Sequence, residues 1–290
     1  MIPKTFKNIR KALANLNPAD VRADAERTVI IGLSASRGES FGAMESFLAP
    51  PDLPLEQRVN ALRHIYHTDI PGAPAQFDIE IQDETLPPRR GVFDFRFSAP
   101  ILTVQRILRD REELGLPLAR LFPPFREEVC RQIVRRISRE NAWFSMATAL
   151  PNVVPSLFEL PWAVGEFASD TAILTANQIR MAFLLAAASD REVGYAVQKA
   201  EMGSIIAGAF GWRALARELV GKVPLGGGLI PKAAVAYAGT FVVGKSIIRL
   251  HRFGRGLSWS ERKSEYRSAY ARGSQIAAAL LEGLRKKKKE

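Results

Sequence analysis

Two stretches of this chain carry the residue types that cradle phosphate. Gly239-Thr240-Phe241-Val242-Val243-Gly244-Lys245-Ser246 has the glycines, lysine and hydroxyl of a phosphate-binding loop at the required spacing. Such a loop works when small residues let successive amides curl around an anion and a downstream acid helps hold magnesium. Here Phe241, Val242 and Val243 fill three of the four intervening positions, and no aspartate follows Asp190. The pattern therefore predicts one apolar helix from Pro231 to Leu250, with Ala236, Thr240 and Gly244 as a small-residue stripe. The second stretch, Gly32-Leu33-Ser34-Ala35-Ser36-Arg37-Gly38-Glu39-Ser40, follows the apolar run Val29-Ile30-Ile31, as a loop in a nucleotide fold would. Counted from Gly32, Arg37 stands where the second glycine belongs and Gly38 where the lysine belongs, so the phosphates lose their main point charge. The stretch reads as a strand-to-helix turn or as a degenerate nucleotide fold.

Other chemistry is sparse. His64 and His67 stand at i and i+3, a spacing for two metal ligands on one helix face, but no third ligand follows at a suitable distance. The single cysteine, Cys130, lies among Val129, Ile133 and Val134 and reads as a buried, inert thiol. Catalytic, cofactor-binding and metal-binding residues are all assigned as none. Glu159, Glu166, Asp170, Asn177, Gln178 and Arg180 sit in the most apolar part of the chain. Unpaired buried charge is costly, so these residues read as a buried polar network locking a helical bundle. Gly226, Gly227 and Gly228 with Lys232 precede and open a helix. They form either an anion or head-group contact or a flexible inter-helix turn.

The elements that must position these groups follow from hydrophobic period. Phe77, Ile79 and Ile81 alternate with polar residues, as do Phe93, Phe95 and Phe97, and both runs predict strands. Leu55 to Tyr66 reads as a helix. From Ile101 onward apolar residues recur every third or fourth position, through Ile101–Glu113, Phe125–Glu140, Ile173–Ala188, Met202–Val220 and Val223–Gly244. Asn141–Phe158 is without charge, but Pro151 and Pro155 interrupt it. Ser258 and Glu261 have capping-box spacing and start a final helix. The expected class is α+β, a mainly α-helical C-terminal bundle with a small N-terminal α/β unit. The boundaries are 1–23 for a basic amphipathic helix, 24–116 for the α/β unit, 117–256 for the apolar helical domain, and 257–290 for a basic helix and tail.

The net charge of +11 is unevenly placed. Lys4, Lys7, Arg10 and Lys11 give residues 1–11 a charge of +4, residues 249–290 carry +8, and the rest is nearly neutral. Basic ends of this kind seek an anionic lipid surface, nucleic acid or an acidic partner. Phe6, Ile9, Leu13 and Leu16 give the first segment an apolar stripe, which either lies on a membrane or packs against the body.

Several separated motifs occur in order. They are Leu174-Thr175-Ala176-Asn177-Gln178-Ile179-Arg180-Met181, then Gly211-Trp212-Arg213-Ala214-Leu215-Ala216-Arg217-Glu218-Leu219, then Pro224 to Pro231, then Ala236-Tyr237-Ala238-Gly239-Thr240. Over roughly residues 120–256 the chain resembles a bacterial helical family of unknown function that often follows Era-like GTPase domains, and it is similar to the YcjF-like inner-membrane proteins. The resemblance implies a helical, membrane-associated module linked to a GTPase, here a partner in trans, and implies no catalytic residues. The expected function is a non-catalytic interaction or scaffold module at the cytoplasmic face of the cell membrane, either peripheral or with two spans around Ala142–Gly165 and Leu225–Ile248. Two alternatives remain: a nucleic-acid-binding protein that uses the basic tails, and a divergent nucleotide-binding, GTPase-like protein.

Overall fold

A computed structural model describes Leu13 and residues 16–148, 170–206 and 228–287. Glu159, Glu166, Gly226 and Gly227 lie outside the described residues, as do most of the N-terminal amphipathic stripe and the stretches 149–169 and 207–227. The architecture is α+β. Contacts divide it into an α/β unit of residues 20–131 with 187–192, and a helical unit formed by the other described residues.

The α/β unit begins with α1 (Pro18–Ala25), where Pro18 takes the first helical position and the Asn17 side chain accepts from the Ala19 amide at 3.1 Å. The chain continues through β1 (Ile31–Ser34), α2 (Gly38–Leu48), α3 (Leu55–Leu62), β2 (Ile65–His67), β3 (Ile79–Asp83), β4 (Val92–Phe95), α4 (Pro100–Asp110) and α5 (Gly115–Leu121). Four strands form one sheet in the order β2-β1-β3-β4, every pair parallel. The register sets Ile31 beside Ile79 and Leu33 beside Ile81, and Ile81 beside Phe93. Ile31, Leu33, Ile79, Ile81, Phe93 and Phe95 are all buried and build one apolar face.

The opposite face is unusual for a parallel sheet, which is ordinarily apolar on both sides. It presents Gly32, Ser34, Glu80, Gln82 and Asp94. No helix connects β2 to β3 or β3 to β4, and residues 68–78 and 84–91 cross as coil with short turns. The first of these coils presses Phe77 against the sheet so closely that a Cβ on Gly32 would lie 2.8 Å from its ring.

The sequence pattern ran the helix after Leu55 on to Tyr66. In the structure it stops at Leu62, and Ile65-Tyr66-His67 forms an edge strand paired with β1. A β-branched residue followed by an aromatic suits a pleated edge. Helix α6 (Pro123–Ala147) opens in the α/β unit and closes in the helical one. Its first turns bury Phe125 and Val129, and Val129 reaches the Cα side of Gly115. Contacts thus cut the chain beyond the composition shift near residue 117.

The helical unit comprises the rest of α6, then α7 (Asp170–Ala188), α8 (residues 199–206), α9 (Leu229–Phe253) and α10 (Trp259–Lys287). Gly254 ends α9 in the left-handed conformation, φ 71°, and its amide donates to the Leu250 carbonyl at 2.9 Å. Ser258 and Glu261 then close a reciprocal capping box. The Ser258 amide donates to Glu261 Oε2 at 2.8 Å and the Glu261 amide to Ser258 Oγ at 3.4 Å. Helices α9 and α10 run antiparallel, tied by Lys245–Glu265 at 3.5 Å and by the Arg249–Glu261 pair. A Cβ on Gly273 would meet Tyr237 at 2.9 Å, which explains the small residue there. The C-terminal helix therefore belongs to the bundle through residue contacts, although composition set it apart at residue 257. At the described end of the N-terminal stripe, Leu16 is buried, and the carbonyls of Leu13 and Leu16 lie 2.8 and 2.7 Å from the Tyr195 hydroxyl.

Candidate functional site

The Gly239–Ser246 stretch lies in the middle of α9. Its amides are committed to i→i−4 bonds and cannot converge on phosphate. Its glycines serve packing instead. A Cβ on Gly244 would stand 2.5 Å from Val134 and 3.0 Å from Met181, so α9 approaches α6 and α7 at this point.

One turn away, three helices share a buried polar layer. Asn141 of α6 donates through Nδ2 to Thr240 Oγ1 of α9 at 2.8 Å and to the Leu174 carbonyl at 3.3 Å. Asn177 of α7 donates to Asn141 Oδ1 at 2.8 Å, and Gln178 donates to Thr240 Oγ1 at 3.1 Å. Arg180 donates to Glu140 Oε2 at 3.3 Å and to Asn177 Oδ1 at 3.2 Å. Asn141, Asn177 and Thr240 are essentially inaccessible. Every amide in the layer has a partner, so the cluster has little capacity left for a ligand and holds helix register. The structure joins Asn177, Gln178 and Arg180 as the sequence grouped them. Their acid is Glu140; the side chain of Asp170 is not among the described features, and Glu159 and Glu166 lie outside them. Glu140 and Asn141 were missed because they sit at the seam where the charged part of α6 becomes apolar.

Gly228 is the residue before α9, exposed and without a side-chain cap. Lys232 sits one turn into the helix, and its amine donates to Thr148 Oγ1 at 3.3 Å. His64 and His67 do not share a helix face. His64 sits in the turn after α3 with Nδ1 3.1 Å from the Val29 carbonyl, and His67 lies in β2 with Nδ1 4.0 Å from Asp69. Among the described residues no group of three or more His, Cys, Asp or Glu could hold a metal. Burial pushes the Cys130 thiol up to about 11, so it is inert at neutral pH.

The α/β unit contributes a second cluster. In open parallel sheets ligands bind at the carboxyl ends of strands where the order reverses, here beside β1 and β3. Those ends carry Ser34, Ser36, Gln82 and Asp83, with Ser40 in the first turn of α2. Asp83 is buried. Its carboxylate accepts from Ser36 Oγ at 3.1 Å and from the Thr85 amide at 2.9 Å. Burial alone would raise this carboxyl, but the Thr85 amide and the hydroxyls of Ser40, Thr85 and Ser36 together hold it below its ordinary value. The start of α2 at Gly38 and the Ser40–Asp83 contact shift the loop register by one residue from the count begun at Gly32. Gly38 then occupies the second glycine position, Glu39 the lysine position and Ser40 the hydroxyl that would share magnesium with an acid. Acid and hydroxyl satisfy each other, and Glu39 reverses the charge. On the opposite face Arg89 donates to Ser34 Oγ at 2.8 Å and to Gln82 Oε1 at 3.0 Å, strapping residues 84–91 across the strand ends. Sequence patterning missed Asp83 and Arg89; the available signal was a polar pair, Gln82-Asp83, ending an alternating strand.

Compared with family models, with curated proteins and with solved structures, the chain finds no match.

Proposed function

We propose that this protein is a non-catalytic interaction module that associates peripherally with an anionic membrane surface, at the cytoplasmic face, through its basic ends. The observation that carries the reading is the concentration of positive charge at the two ends of an otherwise nearly neutral chain; two helices, Thr171–Ala188 and Leu229–Phe253, are also long and apolar enough to cross a membrane. Most of each window, 72% and 56%, is already buried against neighbours, which favours surface association over insertion, since length and composition of this kind also suit the core helix of a soluble bundle. A cytoplasmic position agrees with the preference of positive segments for that side. A GTPase partner in trans belongs to the same proposal and rests on the sequence-motif resemblance alone. Each Lys or Arg near an anionic surface contributes about 1 kcal/mol. The full chain is expected to sediment with phosphatidylglycerol vesicles and not with phosphatidylcholine vesicles, and to be released by carbonate. Replacing Lys286, Lys287, Lys288 and Lys289 by Gln should weaken that binding by at least roughly tenfold. Equal sedimentation with both lipids, or none with either, ends the proposal.

A further inference from the structure

The α/β unit holds a half-open cavity of about 790 Å³, lined by α3, the end of α5, the start of α6 and Asp190. Its volume is that of a small-molecule site. Its walls are amphiphilic. Leu55 and Val59, one turn apart on α3, are 76% and 40% exposed and form an apolar rim with Leu121 and Pro123. Three guanidinium groups, Arg63, Arg120 and Arg126, line the same space.

These arginines are unevenly neutralised. Arg120 pairs with Asp190 at 3.3 Å. Arg126, part-buried, donates to the carbonyls of Ala119 at 3.2 Å, Ala188 at 3.1 Å and Arg120 at 3.1 Å. Among the described residues no carboxylate lies within ion-pair distance of Arg126 or Arg63. Burial disfavours the charged form of Arg126, and nearby Asp190 only partly offsets this. A guanidinium withdrawn from water and bonded only to neutral carbonyls gains from an added anion. Asp190 is also the one described non-glycine residue with a positive φ, 54°. This is ordinary geometry just past a helix end: the Asp190 amide donates to the Ala187 carbonyl at 3.1 Å, and the turn sets the carboxylate beside Arg120.

We propose that this cavity binds a small amphiphilic anion, its carboxylate or phosphate head held by Arg63 and Arg126 and its short apolar tail laid along Leu55 and Val59. A half-enclosed space of this size suits a small molecule better than a peptide, which would need an open groove. The site belongs to the α/β unit and does not depend on the basic ends of the chain.

The test is calorimetric titration of the full chain with decyl phosphate, with inorganic phosphate and with decyl maltoside, which shares the tail and lacks the charge. Decyl phosphate should bind with a Kd on the order of 10 µM, inorganic phosphate at least roughly tenfold more weakly, and decyl maltoside without measurable heat. Arg63→Gln and Val59→Asp, both at exposed positions, should each weaken decyl phosphate by roughly tenfold or more with an unchanged melting temperature. Equal binding of decyl maltoside, unaltered affinity in both variants, or no decyl phosphate binding to about 1 mM would overturn the proposal. In the chain whose lysine run is already replaced by Gln, residual sedimentation with phosphatidate vesicles that is lost on adding either Arg63→Gln or Val59→Asp would identify the head group as a lipid's. Retention in both variants, together with decyl phosphate binding, would identify a soluble anion.

Discussion

Arg180 shows how one side chain can hold a bundle without taking part in chemistry. Its guanidinium satisfies Glu140 and Asn177 at once, and both side chains of the ion pair are only 22% accessible. Arg180→Ala leaves Glu140 with Arg136 at 4.0 Å and the Asn177 side-chain amide at 3.3 Å, and takes from Asn177 Oδ1 the donor it has in Arg180. The expected loss is about 2 kcal/mol, read as a lower melting temperature. An unchanged transition would show that the layer contributes nothing. Glu261 gives a second prediction at this scale. Bonds from the Ser258 amide and hydroxyl and from Arg249 lower its carboxyl from 4.5 to about 2. A depressed carboxyl stabilises the folded chain at pH above its unfolded value and loses that stabilisation as pH falls through the folded value. Glu261→Gln should therefore melt earlier than the parent chain near neutral pH, with the gap closing between pH 4.5 and about 2. A gap that is constant across that range would mean the carboxylate charge is not what caps α10.

Among the elements, α9 is the most informative. Its period and its small-residue stripe were legible, because Phe241, Val242 and Val243 leave no room for a loop that wraps an anion. Gly244 tests that reading directly. In an isolated helix alanine would be favoured over glycine by about 1 kcal/mol. Here the added methyl would stand 2.5 Å from a Val134 methyl group, inside any real contact distance. Crowding should win, and Gly244→Ala is expected to destabilise by about 1–3 kcal/mol. Val134→Ala in the same chain should restore most of the loss, and a Gly244→Ala variant that melts higher than the parent would refute the close approach. Other elements were less legible. Ile65-Tyr66-His67 extends an apparently helical run, and only the exposed edge of β1 makes it a strand. The polar layer was half visible: Asn177, Gln178 and Arg180 stand out in an apolar helix, whereas Glu140 and Asn141 blend into a charged one. The carboxylate at the end of β3 was invisible, because its meaning depends on Ser36 and Ser40, which lie more than forty residues earlier in the chain.

For the molecule as a whole, the question left by the sequence is whether its parallel sheet still receives a nucleotide. The strand order places a binding crevice beside β1 and β3, yet Asp83 occupies its hydroxyls and Glu39 stands where a lysine would meet phosphate. Millimolar GTP or ATP with magnesium should therefore leave the melting temperature unmoved, since a ligand at a hundred times its Kd would add about 2.7 kcal/mol to stability. A clear upward shift would restore the nucleotide-binding reading. The layer of Asn141, Asn177, Gln178 and Thr240 bears on motion as well as on stability. Sliding α9 along its axis by one turn would carry Thr240 about 5.4 Å away, taking the acceptor from Gln178 Nε2 and leaving Asn141 Nδ2 with the Leu174 carbonyl alone. Piston-like displacement of that helix therefore costs about 1–3 kcal/mol for each buried donor left unpaired. Small tilts that keep Thr240 within reach of Asn141 and Gln178 escape that penalty, so the amide-hydroxyl lattice acts as a detent against axial slip.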